Sequence, residues 1–139
     1  MTTLAANKYP AFEDLAKNDV PVIADDIIYQ GAMVGDNASG YARPLQAGDP
    51  FLGIADDKAD NTGGSAGDKF VRCKEEGVII EDVVGATGVG DIGSPVYASD
   101  DDVLTLTAGS NTLIGRVRRH ISGTKCAVYF LADTRKATT

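Results

Sequence analysis

The sequence predicts an all-β protein, built as a small antiparallel β-barrel or β-sandwich with an extended N-terminal arm. Short apolar, β-rich runs recur about every ten residues, and turn signals containing Gly, Asn or Asp separate them. No stretch after residue 26 leaves room for an ordinary helix, which argues against the strand–helix folds that house nucleotide cofactors. The 16 glycines have no period, so they indicate tight turns rather than a low-complexity linker.

The chain divides into three predicted parts. Residues 1–26 have no sustained hydrophobic period and too little apolar surface to fold alone. We therefore predict an extended arm that becomes ordered only on another surface. Residues 27–132 are predicted to form the β domain, and residues 133–139 a flexible polar tail.

The β domain begins with a predicted strand from Ile27 to Val34, which ends at Gly35-Asp36-Asn37. A short run at 41–44 contains a proline and therefore suits a sheet edge. In the run 103–107, leucine and threonine alternate with the period of two that is typical of a strand. Ser122-Gly123-Thr124 is a hairpin signal between the last two strands. The remaining strands are predicted at 51–55, 69–74, 77–81, 95–98, 113–118 and 126–131.

The formal net charge of −7 makes nucleic acid an unfavourable partner, because such binding depends on Lys and Arg that neutralise phosphates. The same charge disfavours anionic membranes. No apolar run approaches the roughly 18 residues that a membrane helix needs. Residues 1–10 also lack the basic start and apolar stretch of a secretory signal. We therefore expect neither a nucleic-acid nor a membrane partner, and synthesis in a cytoplasm.

One segment resembles an enzyme motif. Gly90-Asp91-Ile92-Gly93-Ser94-Pro95 is similar to the box around the nucleophile of trypsin-like proteases, but Ile92 stands where the attacking hydroxyl is needed. The only histidine, His120, follows the box, whereas those proteases place their base before it. The segment is therefore interpreted as a turn. The Gly-rich run 85–90 lacks the Lys-Ser/Thr of a phosphate-binding loop. Paired carboxylates remain an open alternative that no residue singles out.

Metal ligands are also not singled out. Asp100-Asp101-Asp102 offers oxygen atoms that calcium prefers, but three consecutive aspartates on one turn do not all converge on one ion. One histidine and two distant cysteines do not form a transition-metal cluster. Cys73 and Cys126 are predicted to be buried thiols. We thus predict no catalytic, cofactor-binding or metal-binding residues.

Basic residues are concentrated at one place, in Arg116, Arg118, Arg119 and His120. On a regular strand, Arg116, Arg118 and His120 would share a face. The preferred interpretation is a solvated outer face that nearby acids balance. The alternative is an electrostatic patch that docks on acidic groups of a partner or a neighbouring subunit.

The order of several short segments resembles that of a known family. These segments are 27–34, Gly40-Tyr41-Ala42, 51–55, the loop 60–67, 71–78, 93–97, 111–117 and 127–131. In their joint order and spacing they resemble the capsid decoration (cement, head-stabilising) proteins of tailed bacteriophages. The resemblance implies a β-tulip-like barrel or sandwich without catalytic residues or a cofactor. It also implies a virion protein on the outer surface of the capsid, made in the host cytoplasm.

The resemblance implies partners as well. A decoration protein binds the major capsid protein of the expanded head, and we expect self-association on the capsid, with a homotrimer favoured over a dimer. The arm is expected to bind the shell through apolar and aromatic side chains, which dominate interface energetics. These are Leu4, Tyr9, Pro10, Phe12 and Leu15. The alternative is a β-sandwich module, displayed on a virion, that binds carbohydrate or a host surface. A small β-barrel hydrolase ranks below both.

Overall fold

The structure, a computed structural model, describes residues 5–6 and 17–132. Over these residues the chain is all-β, as the sequence predicts, with twelve strands and one short 3-10 helix. The strands are β1 Lys17–Pro21, β2 Ile27–Ile28, β3 Met33–Asp36, β4 Ala42–Pro44, β5 Phe51–Ala55, β6 Ala59–Asp60, β7 Phe70–Lys74, β8 Glu76–Val84, β9 Pro95–Ala98, β10 Leu104–Thr105, β11 Thr112–Ser122 and β12 Lys125–Leu131. The 3-10 helix spans Val89–Asp91. None of the helical structure in the described ranges is long and apolar enough to cross a membrane.

The N-terminal half is a five-stranded sheet in the order β1-β7-β5-β3-β4, next to the two-stranded ribbon β2–β6. β4, with its proline, lies at the edge, as predicted. Just after β1, Val22 forms a bridge with Ala42 of β4. The sheet therefore curls until its two edges almost meet. Its interior is filled by small and β-branched side chains, among them Val20, Val22, Ile28, Val34, Val71 and Cys73.

The C-terminal half is a closed five-stranded barrel in the order β10-β8-β12-β11-β9. Neighbouring strands are antiparallel except for β8 and β10, which run parallel over two residue pairs. The predicted β11–β12 hairpin forms, and its turn places Gly123 at a φ of 55°. A Cβ atom at Gly115 would lie 1.8 Å from the Tyr129 carbonyl oxygen, so only glycine allows β11 to approach β12 there.

Phe130 of β12 packs the barrel against the N-terminal sheet. Its ring is 1% exposed and meets the ring of Phe51 on β5 edge to face, with centroids 6.3 Å apart. The residues opposite Phe130 on the two neighbouring strands are Gly115 and Gly77. A Cβ atom on Gly77 would lie 3.2 Å from the ring. The two glycines therefore leave the space that the ring occupies, and one core spans both halves.

A polar contact also joins the halves. The buried Asp49 carboxylate accepts hydrogen bonds from Nε and Nη2 of Arg43, at 3.0 and 2.7 Å, and from the Gln46 backbone N–H at 3.0 Å. The Asp49 carbonyl accepts a hydrogen bond from Thr112 Oγ1 of β11 at 2.8 Å. The hydrogen bonds to the charged carboxylate contribute about 1.5–3 kcal/mol each, and the neutral Thr112 bond that reaches the barrel about 0.5–1.5 kcal/mol. The turn before β5 is thus held firmly against the barrel.

Three predicted boundaries are corrected. β1 lies within the predicted arm, so the arm boundary after residue 26 is too late; β1 is stabilised by pairing with the distant β7. The predicted strand from Ile27 to Val34 is two strands, because the chain turns at Gly31, where φ is 88° and the N–H donates to the Ala55 carbonyl. The predicted strand at 103–107 is reduced to the two residues of β10.

Candidate protein-interaction surface

The outer side of the barrel exposes apolar side chains on adjacent strands. The register places Val78 of β8 opposite Tyr129 of β12, and Tyr129 opposite Arg116 of β11. Ile80 and Leu131 face the same way, because residues two positions apart on a strand share a side. Val78, Ile80 and Leu131 are between 44% and 49% exposed. We call these five residues the barrel outer face.

An arginine and a tyrosine form the centre of the barrel outer face. The Arg116 guanidinium carbon lies 4.9 Å from the centroid of the Tyr129 ring, which is cation–π geometry. The Tyr129 hydroxyl donates a hydrogen bond to the Glu76 carboxylate, and this bond raises the pKa of Tyr129. Both side chains are therefore held in place by contacts within the protein. Arginine and tyrosine are also the residue types that are enriched at protein interfaces.

A shallow concavity of about 480 Å³ adjoins this face, between Ile92 and Gly93 on one side and Arg116 and Arg118 on the other. The Gly93 N–H donates to the Val117 carbonyl at 2.9 Å, which holds the loop against β11. This loop is the segment that resembles the protease box, and it is a turn, as predicted. Its Ile92 side chain is exposed and adds to the apolar surface.

The predicted basic patch is divided by the structure. Arg116 pairs with Tyr129 and His120 with Cys126, three positions away on β12, so the two side chains point to opposite sides. The cause is a bulge between Val117 and Arg119, which inserts an extra residue into β11. The expectation that Arg116, Arg118 and His120 share one face is therefore wrong for His120. Arg116 and Arg118 are exposed and line the concavity together.

His120 and Cys126 lie opposite each other, an arrangement that invites comparison with a nucleophile and its base. Burial raises the pKa of Cys126, and the Asp91 and Asp82 carboxylates raise it further. A reactive cysteine needs the opposite shift, because the thiolate is the nucleophile. His120 Nε2 is also engaged by the Gly123 carbonyl at 2.9 Å. This pair is not arranged for nucleophilic attack.

The two cysteines and the Asp100 carboxylate also have structural roles. Cys73 and Cys126 are free and buried, as predicted, and burial raises the pKa of Cys73 to about 12. The Asp100 carboxylate accepts hydrogen bonds from the backbone N–H groups of Asp102 and Val103, both at 2.8 Å. Across residues 5–6 and 17–132, no three His, Cys, Asp or Glu side chains converge as metal ligands would.

The predicted arm contacts, Leu4, Tyr9, Pro10, Phe12 and Leu15, lie outside the described residues, as does the predicted tail at 133–139. The sequence prediction included Arg116 and Arg118 but missed Val78, Ile80, Tyr129 and Leu131 as surface residues. One signal was available in the consecutive apolar residues 78–80, because one side of a barrel strand faces outward. The chain matches no protein-family model, and no curated protein matches it either.

Proposed function

We propose that the protein is a capsid decoration protein of a tailed bacteriophage, which binds the outside of the expanded head and stabilises contacts between major capsid protein subunits. The main support is the barrel outer face, since exposed apolar residues around an ordered Arg–Tyr pair are typical of a protein-binding surface. The order of segments that resembles the decoration proteins supports the choice of partner.

Two charge features bear on the proposal: the net charge disfavours clustering of free copies, and Arg116 and Arg118 form a local basic site. The chain has a net charge of −7, which makes separate copies repel each other. In the sheet, Arg72 is paired with Asp19 at 2.9 Å and Lys17 with Asp56 at 2.9 Å. Among the ion pairs of the described residues, Arg116 and Arg118 do not appear. They are available to carboxylates of a partner.

The proposed mechanism needs no catalysis. A protein that binds the assembled shell, and not its separated subunits, shifts the equilibrium away from disassembly. Contacts with two or more shell subunits make the later contacts intramolecular and raise the avidity. The Phe51–Phe130 and Asp49–Thr112 contacts make the body a rigid connector between them. On the capsid, copies associate as a homotrimer, with a dimer as the alternative.

The test mixes the purified chain with expanded and unexpanded heads and measures co-sedimentation and the temperature at which heads release DNA. We expect binding to expanded heads alone, with a higher release temperature. Tyr129→Ala should weaken binding by about tenfold or more, the scale of an interface hot spot. Tyr29→Ala is the matched control, because Tyr29 is also exposed and holds Lys58 at 5.3 Å in a second cation–π pair. Equal losses for both variants would argue against the barrel outer face.

A deletion tests the predicted arm. Since β1 begins at Lys17, the deletion must stop at residue 16 to leave the β body intact. We expect weaker head binding and an unchanged unfolding midpoint. Unchanged head binding would remove the arm from the proposal. The alternative, a carbohydrate-binding or host-surface module, predicts glycan binding by the free protein through exposed aromatic residues such as Tyr29 and Phe70.

A further inference from the structure

β8 has a backbone edge that no described strand covers. On one side, β8 pairs with β12 over seven residue pairs, from Glu76 to Asp82. On the other side, β10 pairs only with Val83 and Val84. The barrel is therefore closed at the end of β8, and over residues 76–82 that side of the strand has no partner among the described residues.

Hydrogen bonds at the two ends of the β8–β12 ladder show which backbone groups face the open side. The Val83 N–H donates to the Thr124 carbonyl at 2.9 Å, and the Ala132 N–H donates to the Glu75 carbonyl at 2.7 Å. In an antiparallel pair, successive residues direct their N–H and C=O groups to opposite sides, so the odd-numbered residues of β8 bond to β12. The backbone groups that point to the open side are those of Glu76, Val78, Ile80 and Asp82.

A groove runs along this open edge. Its wide part, of about 380 Å³, separates β8 from Ile54 and Ala55 of the N-terminal sheet. Its narrow part continues to Glu81 and Asp101. Gly31, Ile54 and Ile79 line both parts, so the groove is continuous along the strand. Ile54 and Ile79 give it an apolar floor.

The two ends of the groove differ in charge. At the wide end, Lys17 and Lys74 both contact the Asp56 carboxylate, at 2.9 and 3.9 Å. The narrow end is lined by three acidic residues, Glu81, Asp101 and Asp102, and by no basic residue. Burial, followed by the neighbouring Asp100 carboxylate, raises the pKa of Asp101. A cation from a partner would relieve this crowding of negative charge.

We propose that the open edge of β8 binds an extended segment of a partner polypeptide, which adds a strand to the barrel. The segment has apolar side chains at alternate positions, over Ile54 and Ile79, and a Lys or Arg next to Glu81 and Asp101. In strand addition, main-chain hydrogen bonds provide affinity and alternate side chains provide specificity. Exposed edges are usually protected by proline or by charged side chains, lysine above all; residues 76–82 contain no proline or lysine, and their charged residues are all acidic, which favours a basic partner segment. That the shell protein supplies the segment rests on the proposed function.

The first test uses acetylated, amidated heptapeptides of alternating valine and threonine. The first peptide has a single lysine at its N-terminal end, and the second has a single lysine at its C-terminal end. Two further peptides have glutamate in place of the lysine. Binding of these peptides to the full chain is measured by isothermal titration calorimetry. We expect saturable binding of at least one lysine peptide and about tenfold weaker binding of its glutamate counterpart. On binding, hydrogen exchange of the Val78 and Ile80 amides should slow.

The second test removes one donor from the edge. Ile80→Pro deletes an N–H that points away from β12, so the β8–β12 ladder keeps its bonds. Ile80→Thr is the matched control, because it changes the side chain and keeps the N–H. We expect at least a tenfold loss of peptide binding for the proline variant and less than threefold for the threonine variant. If Ile80→Pro lowers the unfolding midpoint, a peptide with N-methylated alternate residues tests the same ladder on the wild-type chain, because it loses the N–H groups that donate to the β8 carbonyls.

The proposal is overturned if no peptide binds saturably, or if Ile80→Pro and the N-methylated peptide leave binding unchanged. Peptide binding that appears only after deletion of residues 1–16 would assign the edge to the chain's own N-terminal segment. A dimer that Ile80→Pro abolishes, but that the peptides do not dissociate, would assign the edge to a second copy of the chain. Either of these two results overturns the proposal. Head binding without peptide binding refutes the strand addition alone, whereas peptide binding without head binding refutes only the proposed function.

Discussion

Replacing Phe130 with alanine should weaken the junction between the two halves of the molecule without changing a residue of the barrel outer face. The side chain is 1% exposed, lies at the wall of the groove along β8, and is contacted edge to face by Phe51. The positions beside it on the neighbouring strands are Gly77 and Gly115. Neither glycine has a side chain that can move into the vacated space, so the substitution leaves a cavity.

The expected cost follows from that cavity. Removal of a buried phenylalanine side chain costs about 3–5 kcal/mol, and the cost is highest where the surroundings relax least. The lost edge-to-face contact accounts for about 0.5–1.5 kcal/mol of this. Because of the flanking glycines, we expect a value near the upper end, about 4–5 kcal/mol. Since small domains have a total stability of about 5–15 kcal/mol, this loss would remove between about a quarter and nearly all of the free energy of unfolding.

Urea unfolding followed by far-ultraviolet circular dichroism measures this loss. With a slope of about 2 kcal/mol per molar urea, the midpoint should fall by about 2 M. Phe70→Ala is the matched control, because it makes the same chemical change on β7 at a side chain that is 59% exposed. The control should lose less than about 1 kcal/mol. A loss below about 1.5 kcal/mol for Phe130→Ala, or equal losses for both, would refute the reasoning.

Three further predictions concern individual residues. The pKa of Asp101 is raised above its ordinary value of 3.8, so ionisation opposes folding as pH rises through the folded-state pKa. Asp101→Asn should therefore raise the urea midpoint at pH 7 and leave it unchanged near pH 3; a lower midpoint at pH 7 would contradict this. Cys73, with a pKa of about 12, should resist iodoacetamide at pH 8 until urea unfolds the chain, and rapid labelling of the native protein, located by mass spectrometry, would disprove its burial. Gly115→Ala should cost more than about 2 kcal/mol in urea unfolding, because its Cβ would overlap the Tyr129 carbonyl. A Cβ atom at Gly90 would have no atom within 4 Å, so the control Gly90→Ala should change the free energy of unfolding by less than about 1 kcal/mol. Similar losses for both variants would be inconsistent with the strand spacing.

Local sequence signals predicted the elements whose stabilising contacts are local. The strand 51–55 and the hairpin turn at Gly123 follow turn residues and alternation, and both form as predicted. Sequence patterns do not predict β1, because its partner, β7, lies about 50 residues further along the chain, beyond the reach of periodicity. The strand predicted from Ile27 to Val34 looks continuous by composition. Its break depends on the Gly31–Ala55 hydrogen bond, which exists only in the folded sheet.

The candidate surface shows the same limit. Charge alone pointed to Arg116 and Arg118, because basic residues are scarce in this chain. Val78 and Ile80 lie in a run with no alternation, and only closure of the barrel decides which of its side chains point outward. The bulge that turns His120 away from Arg116 has no signature in the sequence. The open edge of β8 is likewise a property of strand order.

The groove along β8 has a consequence for how the protein is made. Its walls come from Lys17, Ile54, Val78 and Phe130, which lie far apart in the chain and meet only when non-local strand pairing is complete. A nascent or half-folded copy has pieces of the wall but no cavity between them. A partner that binds the whole groove would therefore bind only fully folded copies. Incompletely folded copies would then be excluded from any assembly that forms through the groove.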